Sequence, residues 1–166
     1  MKLALRSDNY YRELAAQAVR DAHIEEPPVP PTAIAAKLGV PIVELPFPSW
    51  FTAALVYEDG MPAILLNSTK EEATRRSGVG HLLGHLLIVL DDQSAGYPKE
   101  GLTYHRDADF LSEELEIPSF MVIDQAQKWF NDYRYLARLF GVSEKRMLDK
   151  MHALGILKNR GLLWDY

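Results

Sequence analysis

His81 and His85 stand four residues apart in the run His-Leu-Leu-Gly-His, and His105 follows twenty positions later. Side chains at i and i+4 of a helix share one face, so the first two imidazoles can close on a single metal ion. A third donor from the next helix would leave a tetrahedral ion one open position, the pattern of sites that activate water. The chain has five histidines and no cysteine, so any such site is built from nitrogen and oxygen donors. An HxxxH pair also has a plainer reading, two histidines satisfied on an ordinary helix, because helices bring i and i+4 together at every turn.

The elements that must position these residues can be read from periodicity and breakers. Tyr10 to His23 has the spacing of an amphipathic helix, with Leu14, Ala15, Ala18 and Val19 inward. Pro27, Pro28, Pro30 and Pro31 then form an extended connector, Thr32 is placed to cap a short helix, and Gly39 to end it. Val40 to Phe47, Thr52 to Tyr57 and Pro62 to Asn67 read as three strands of a small antiparallel sheet, with a turn at Glu58-Asp59-Gly60. Ser68 to Glu71 forms a capping box, which starts a helix just before the histidine pair. Asp91 to Tyr104 is polar and reads as a loop, and a helix over Arg106 to Leu115 ends at Ile117-Pro118. Two more helices are expected over Ile123 to Phe140, closed by Gly141, and Ser143 to Leu154, capped by Ser143. The fold class is α+β, with residues 1–126 as the main domain and 127–166 as a C-terminal helical extension packed on it.

Composition narrows the classes of function. With 166 residues, 48% hydrophobic and 25% charged, the chain suits one soluble domain with a real core. The most apolar window, Val79 to Leu90, is too short and too interrupted to cross a bilayer, so no membrane role is expected. The start of the chain turns charged too soon for a secretory signal, and cysteine is absent; together these point to the cytoplasm. Net charge is −5, but residues 1–126 carry 10 Lys/Arg against 19 Asp/Glu while 127–166 carry 8 against 4. The C-terminal quarter is therefore locally basic, the pattern of either a solvated helix face or a surface for an acidic partner.

In the hydrolytic form of the two-histidine helix, a glutamate follows the first histidine and moves the proton from attacking water to leaving amine. Here that residue is Leu82, which can do neither. Ile64-Leu65-Leu66-Asn67-Ser68, Arg75-Arg76, HLLGHLL, Ala108-Asp109 and Glu114-Leu115-Glu116-Ile117-Pro118, in that order and spacing, resemble the ImmA/IrrE-type metallopeptidase family. PPVPPTAIAAKLGVPI and the stretch from Ala137 to Leu157 extend the likeness from about residue 10 to about 157. The resemblance implies a zinc-peptidase-like domain, with a small three-stranded sheet packed on several helices and C-terminal helices in a helix-turn-helix outline. It implies zinc as the cofactor, held by His81, His85 and a residue of the following helix, three positions before the Ala-Asn/Asp pair. Family members carry an acidic residue there, and this chain carries His105. Ser77, Gly78, Gly80 and Leu111 are further departures.

Replacing a carboxylate ligand by neutral imidazole raises the formal charge of a zinc site, and a three-histidine site can bring the pKa of its water to about 7. Amide cleavage still needs a positioned acid, whose loss forfeits about 10² to 10⁴ in rate. Tyr104, Asp107, Asp109, Glu113 and Glu114 lie close enough in sequence to substitute, though acidic residues in a helix's first turn are favoured there without any chemistry. Three functions follow. The first is a metal-binding protein of weak or absent proteolysis that regulates a repressor-like, helix-turn-helix partner. The second is an active zinc metallopeptidase that cleaves a transcriptional regulator. The third is a DNA-binding regulator using Lys145, Arg146 and Lys150 of the C-terminal helices, in an acidic protein poorly suited to nucleic acid in general.

Overall fold

A computed structural model describes residues 7–95 and 105–157, with the side chains of 92–95 and 105 outside the described set. Helix α1 spans Asp8–Asp21 and is capped by the Ser7 side chain, which accepts from the Tyr10 amide. Helix α2 spans Pro31–Lys37. Its cap position is Pro30, not Thr32, and Pro31 at the first helical position is pre-set for helical φ and lacks only an N–H that would be unpaired there anyway.

Strands β1 (Ile42–Leu45), β2 (Ala53–Glu58) and β3 (Met61–Asn67) form one sheet in the order β1-β3-β2. Strands β2 and β3 make the expected antiparallel hairpin. Asp59 and Gly60 both take positive φ, 51° and 78°, as the tight two-residue hairpin turn requires. Strand β1 instead runs parallel to β3, pairing Ile42 with Ile64, so the sheet is mixed where an antiparallel one was expected. The crossing is made by residues 46–52, long enough to carry the chain back over the end of the sheet to its other edge. One side chain holds that connection. Asn67, fully buried at the end of β3, accepts from the Phe47 and Thr69 amides and donates to the carbonyls of Phe47, Pro48 and Phe51.

Because the Ser68 amide, which the Glu71 side chain would have to cap, donates to the Leu45 carbonyl at 2.9 Å, the expected capping box does not form; Ser68 to Lys70 make a turn, and α3 begins at Glu72. Helix α3 runs to Ala95, 24 residues, and so takes in the start of the segment read as a loop; residues 96–104 lie outside the described residues. Val79, Leu83, Leu86, Leu87 and Ile88 of α3 are buried in the core. Each contributes about 1.5–3 kcal/mol as an upper bound, which anchors the histidine helix at the centre of the molecule. Helix α4 (His105–Glu116) lies along it, with Ala108, Leu111 and Leu115 buried. The two backbones meet at Gly84, where an added Cβ would strike the Ala108 carbonyl well inside 3.0 Å.

The long helix expected over Ile123 to Phe140 is two helices, α5 (Ser119–Lys128) and α6 (Tyr133–Phe140), broken where Phe130 and Asn131 take positive φ. Asp132 caps α6 by accepting from the amides of Arg134 and Tyr135. Helix α7 (Glu144–Ala153) is capped by Ser143 as expected, and Gly141 closes α6 in the left-handed conformation. Ion pairs fasten these helices to the rest. Lys150 of α7 is buried against Glu114 of α4, Arg146 reaches Glu116 at 3.0 Å, and Arg76 of α3 sits between Glu116 and the Gly141 carbonyl.

Candidate metal centre

His81 and His85 point the same way from α3. Their Nε2 atoms are 3.1 Å apart, with the rings nearly perpendicular at 79°. The other nitrogen of His81, Nδ1, lies 2.7 Å from a carboxylate oxygen of Asp109 on α4. A carboxylate only accepts, so the proton is on Nδ1 and the Nε2 lone pair of His81 faces His85. This is the arrangement in which a carboxylate fixes the tautomer of a metal-ligating histidine.

The pair fits a zinc ion. Two imidazole nitrogens bound at ordinary zinc distances in a tetrahedron stand about 3.3 Å apart. The same atoms make one N–H···N hydrogen bond when no ion separates them. Among the described residues, no three His, Asp or Glu side chains gather around one point. His105 opens α4 one turn before Asp109, and its side chain lies outside the described residues.

Asp109 is the residue the sequence reading underrated, as a charge favoured at a helix start. A histidine ligand needs a partner for its second nitrogen, and a residue one turn beyond the expected third ligand is the natural supplier. The other acidic candidates are engaged elsewhere or turned away. Asp107 accepts from the Tyr11 hydroxyl at 3.0 Å, Glu114 is buried against Lys150 and Ser119, and Glu113 is exposed. Tyr104 lies outside the described residues.

A cleft of about 540 Å³ opens beside the histidines, between β2 and the first half of α3. Thr52 and Ala53 form one wall, and Ala73, Ser77, Gly78 and Leu82 the other. Leu82 is partly buried against the core, so the position of the hydrolytic glutamate is an apolar surface within that cleft. Gly78 keeps the walls close: a Cβ there would touch Ala53 at 3.4 Å.

The basic residues of α7 are largely turned to internal use. Lys150 is 8% exposed on Glu114, Arg146 pairs with Glu116, and Lys145 holds Asp149 at 2.7 Å, which raises the pKa of its ammonium above the ordinary lysine value.

The chain's residues 35–152 match the family model described as the IrrE N-terminal-like domain, a peptidase family. That match takes in β1 to β3, both histidines of α3, all of α4 and most of the C-terminal helices, so it crosses the division drawn at residue 126. No curated protein matches the chain. The family is typically zinc-dependent, in keeping with the nitrogen pair on α3. The chain belongs to the IrrE N-terminal-like domain family.

Proposed function

We propose that this chain holds zinc on His81, His85 and His105, has weak or no proteolytic activity, and regulates a repressor-like protein that binds in the cleft beside β2. The observation that carries this reading is a histidine pair still braced for a metal by Asp109, next to a leucine where the proton carrier belongs. Bound zinc would supply Lewis acidity toward a carbonyl or carboxylate oxygen of the occupant.

Everything else rests on the chain's own residues. Asp109 holds the proton on His81 Nδ1, which leaves Nε2 as the nitrogen that would bind the metal. Leu82 offers an apolar contact, excludes water from that side and has no atom able to receive or release a proton. The edge strand β2 supplies backbone hydrogen-bonding groups that suit an extended segment laid along it. Retaining binding while losing proton transfer makes a capture site.

Leu82→Glu tests this directly, with turnover of a fluorescently labelled unstructured protein such as casein followed in the presence of zinc. The wild-type chain is expected to give no turnover above its His81→Ala variant, and Leu82→Glu to gain on the order of 10²-fold or more. Wild-type turnover above that of His81→Ala and equal to that of Leu82→Glu overturns the noncatalytic reading.

A further inference from the structure

The Asn67 amide donates to the Thr52 carbonyl at 2.8 Å, and Ala53 stands opposite Leu66. Bonding alternates along an antiparallel pair, so Thr52, Ala54, Val56 and Glu58 turn their backbone groups toward β3, and Ala53, Leu55 and Tyr57 turn theirs outward. Those outward N–H and C=O groups meet no partner among the described residues. An unpaired edge invites another chain, and proteins commonly blunt it with proline, lysine or a very short strand. The other edge of this sheet is blunted, since β1 has four residues and lies between Pro41 and Pro46. Strand β2 has six residues and neither a proline nor a lysine.

The two ends of this edge select for positive charge. At its head stands Trp50, 82% exposed, with its ring at 82° to that of Phe51. Phe110, Phe120, Tyr133 and Tyr135 each carry an arginine of this chain against the ring. Trp50 carries none among the described residues, although indole attracts a cation more strongly than phenyl or phenol does. At the foot of the edge are Glu58 and Asp59, exposed and without an ion pair among the described residues. Residues 46–69 contain these two charges and no Lys or Arg. The cations that open α3 are engaged elsewhere, Lys70 on the Ser49 carbonyl, Arg75 on Glu44 and Arg76 on Glu116.

We infer that the partner segment captured beside β2 is a basic one, laid along the edge as a fourth strand, with one Lys or Arg over Trp50 and another against Glu58 and Asp59. This rests on the reading of the cleft as a capture site and names the chemistry of its occupant. At about 3.4 Å per residue, the eight steps from Trp50 to Glu58 span at most about 27 Å, within reach of a ten-residue extended peptide. Backbone bonds to Ala53, Leu55 and Tyr57 hold a strand of any sequence, and the contacts at the two ends choose among sequences.

Fluorescence anisotropy of two labelled ten-residue peptides against the full chain tests the inference, one alternating Lys and Thr, the other Glu and Thr. The Lys–Thr peptide is expected to bind at least tenfold more tightly, and less so as salt rises. Trp50→Ala is expected to weaken its binding about two- to fivefold, the range of one exposed cation–aromatic contact, and Glu58→Gln with Asp59→Asn by a similar factor. Ala53→Pro removes an outward N–H and no bond to β3, so it should weaken binding at least tenfold with Tm close to that of the wild type. Tyr57→Pro does the same at a more exposed position, should Ala53→Pro lower Tm. Equal binding of the two peptides, or binding of neither, overturns the inference. So does Lys–Thr binding that survives both proline variants, which is charge attraction alone, or a wild type whose β2 edges pair with each other in a dimer that the prolines dissolve. Casein turnover reports separately on the capture site: a wild type that cleaves casein above His81→Ala is catalytic, whichever peptide it prefers.

Discussion

Gly84→Ala probes whether the approach of α3 to α4 sets the metal centre. In an exposed helix this change is stabilising by about 1 kcal/mol, because alanine loses less conformational freedom. At position 84 the new methyl would meet Ala108, with its Cα and carbonyl carbon at 3.3 and 3.2 Å and its oxygen nearer still. Those are backbone atoms of α4 and cannot swing aside as a side chain would, so the helices must part. Overpacking of this kind costs about 1–3 kcal/mol, and a rigid backbone obstacle belongs at the upper end. The net is a loss of about 2 kcal/mol, read as a fall in Tm of about 4–8 °C for a domain of this size. Asp109 follows Ala108 directly, so the same displacement breaks its 2.7 Å contact with His81, and loss of such a partner lowers metal affinity about 10–100-fold. Thermal unfolding and competitive zinc titration measure the two effects on one sample. A variant as stable as the wild type, or more so, with unchanged zinc affinity would show that the approach of α3 to α4 does not set the centre.

Asp109→Ala separates the two effects: its side chain is 68% exposed, so stability should shift by under about 0.5 kcal/mol while zinc affinity falls about 10–100-fold in the same titration. Lys150→Met leaves the buried Glu114 carboxylate with only Arg12 at 3.6 Å and its hydrogen bonds from Ser119, and should cost about 1–3 kcal/mol in urea unfolding, whereas adding Glu114→Gln should recover part of that loss. Asn67→Ala removes the side chain that ties residues 47–51 to β3 and should cost about 2–4 kcal/mol, with hydrogen exchange accelerating at the Phe47 and Thr69 amides.

What was legible in the sequence was whatever depends on short-range pattern. The histidine spacing, the Asp59-Gly60 hairpin, the Ser143 cap and the Gly141 ending each involve residues within a few positions of one another, and each stands where the spacing put it. The parallel pairing of β1 was not legible, because it depends on where a connection runs in space, and Asn67, whose buried amide holds that connection, looks in sequence like any residue ending a strand. The break between α5 and α6 was hidden for a related reason. Phe130 and Asn131 carry no glycine or proline to announce it, and apolar spacing continues across the gap. Asp109 was visible as a residue but not as a partner, since its role needs two helices brought together at Gly84.

If His81, His85 and His105 form a metal site beside Leu82, the chain holds its metal without the proton carrier. Metal analysis of the full chain, purified without chelator from zinc-replete cells, tests it most directly against a His81→Ala, His105→Ala double variant of equal helicity. Close to one zinc per wild-type chain and a trace in the variant are expected. Equal, substoichiometric metal in both would contradict a metal site there.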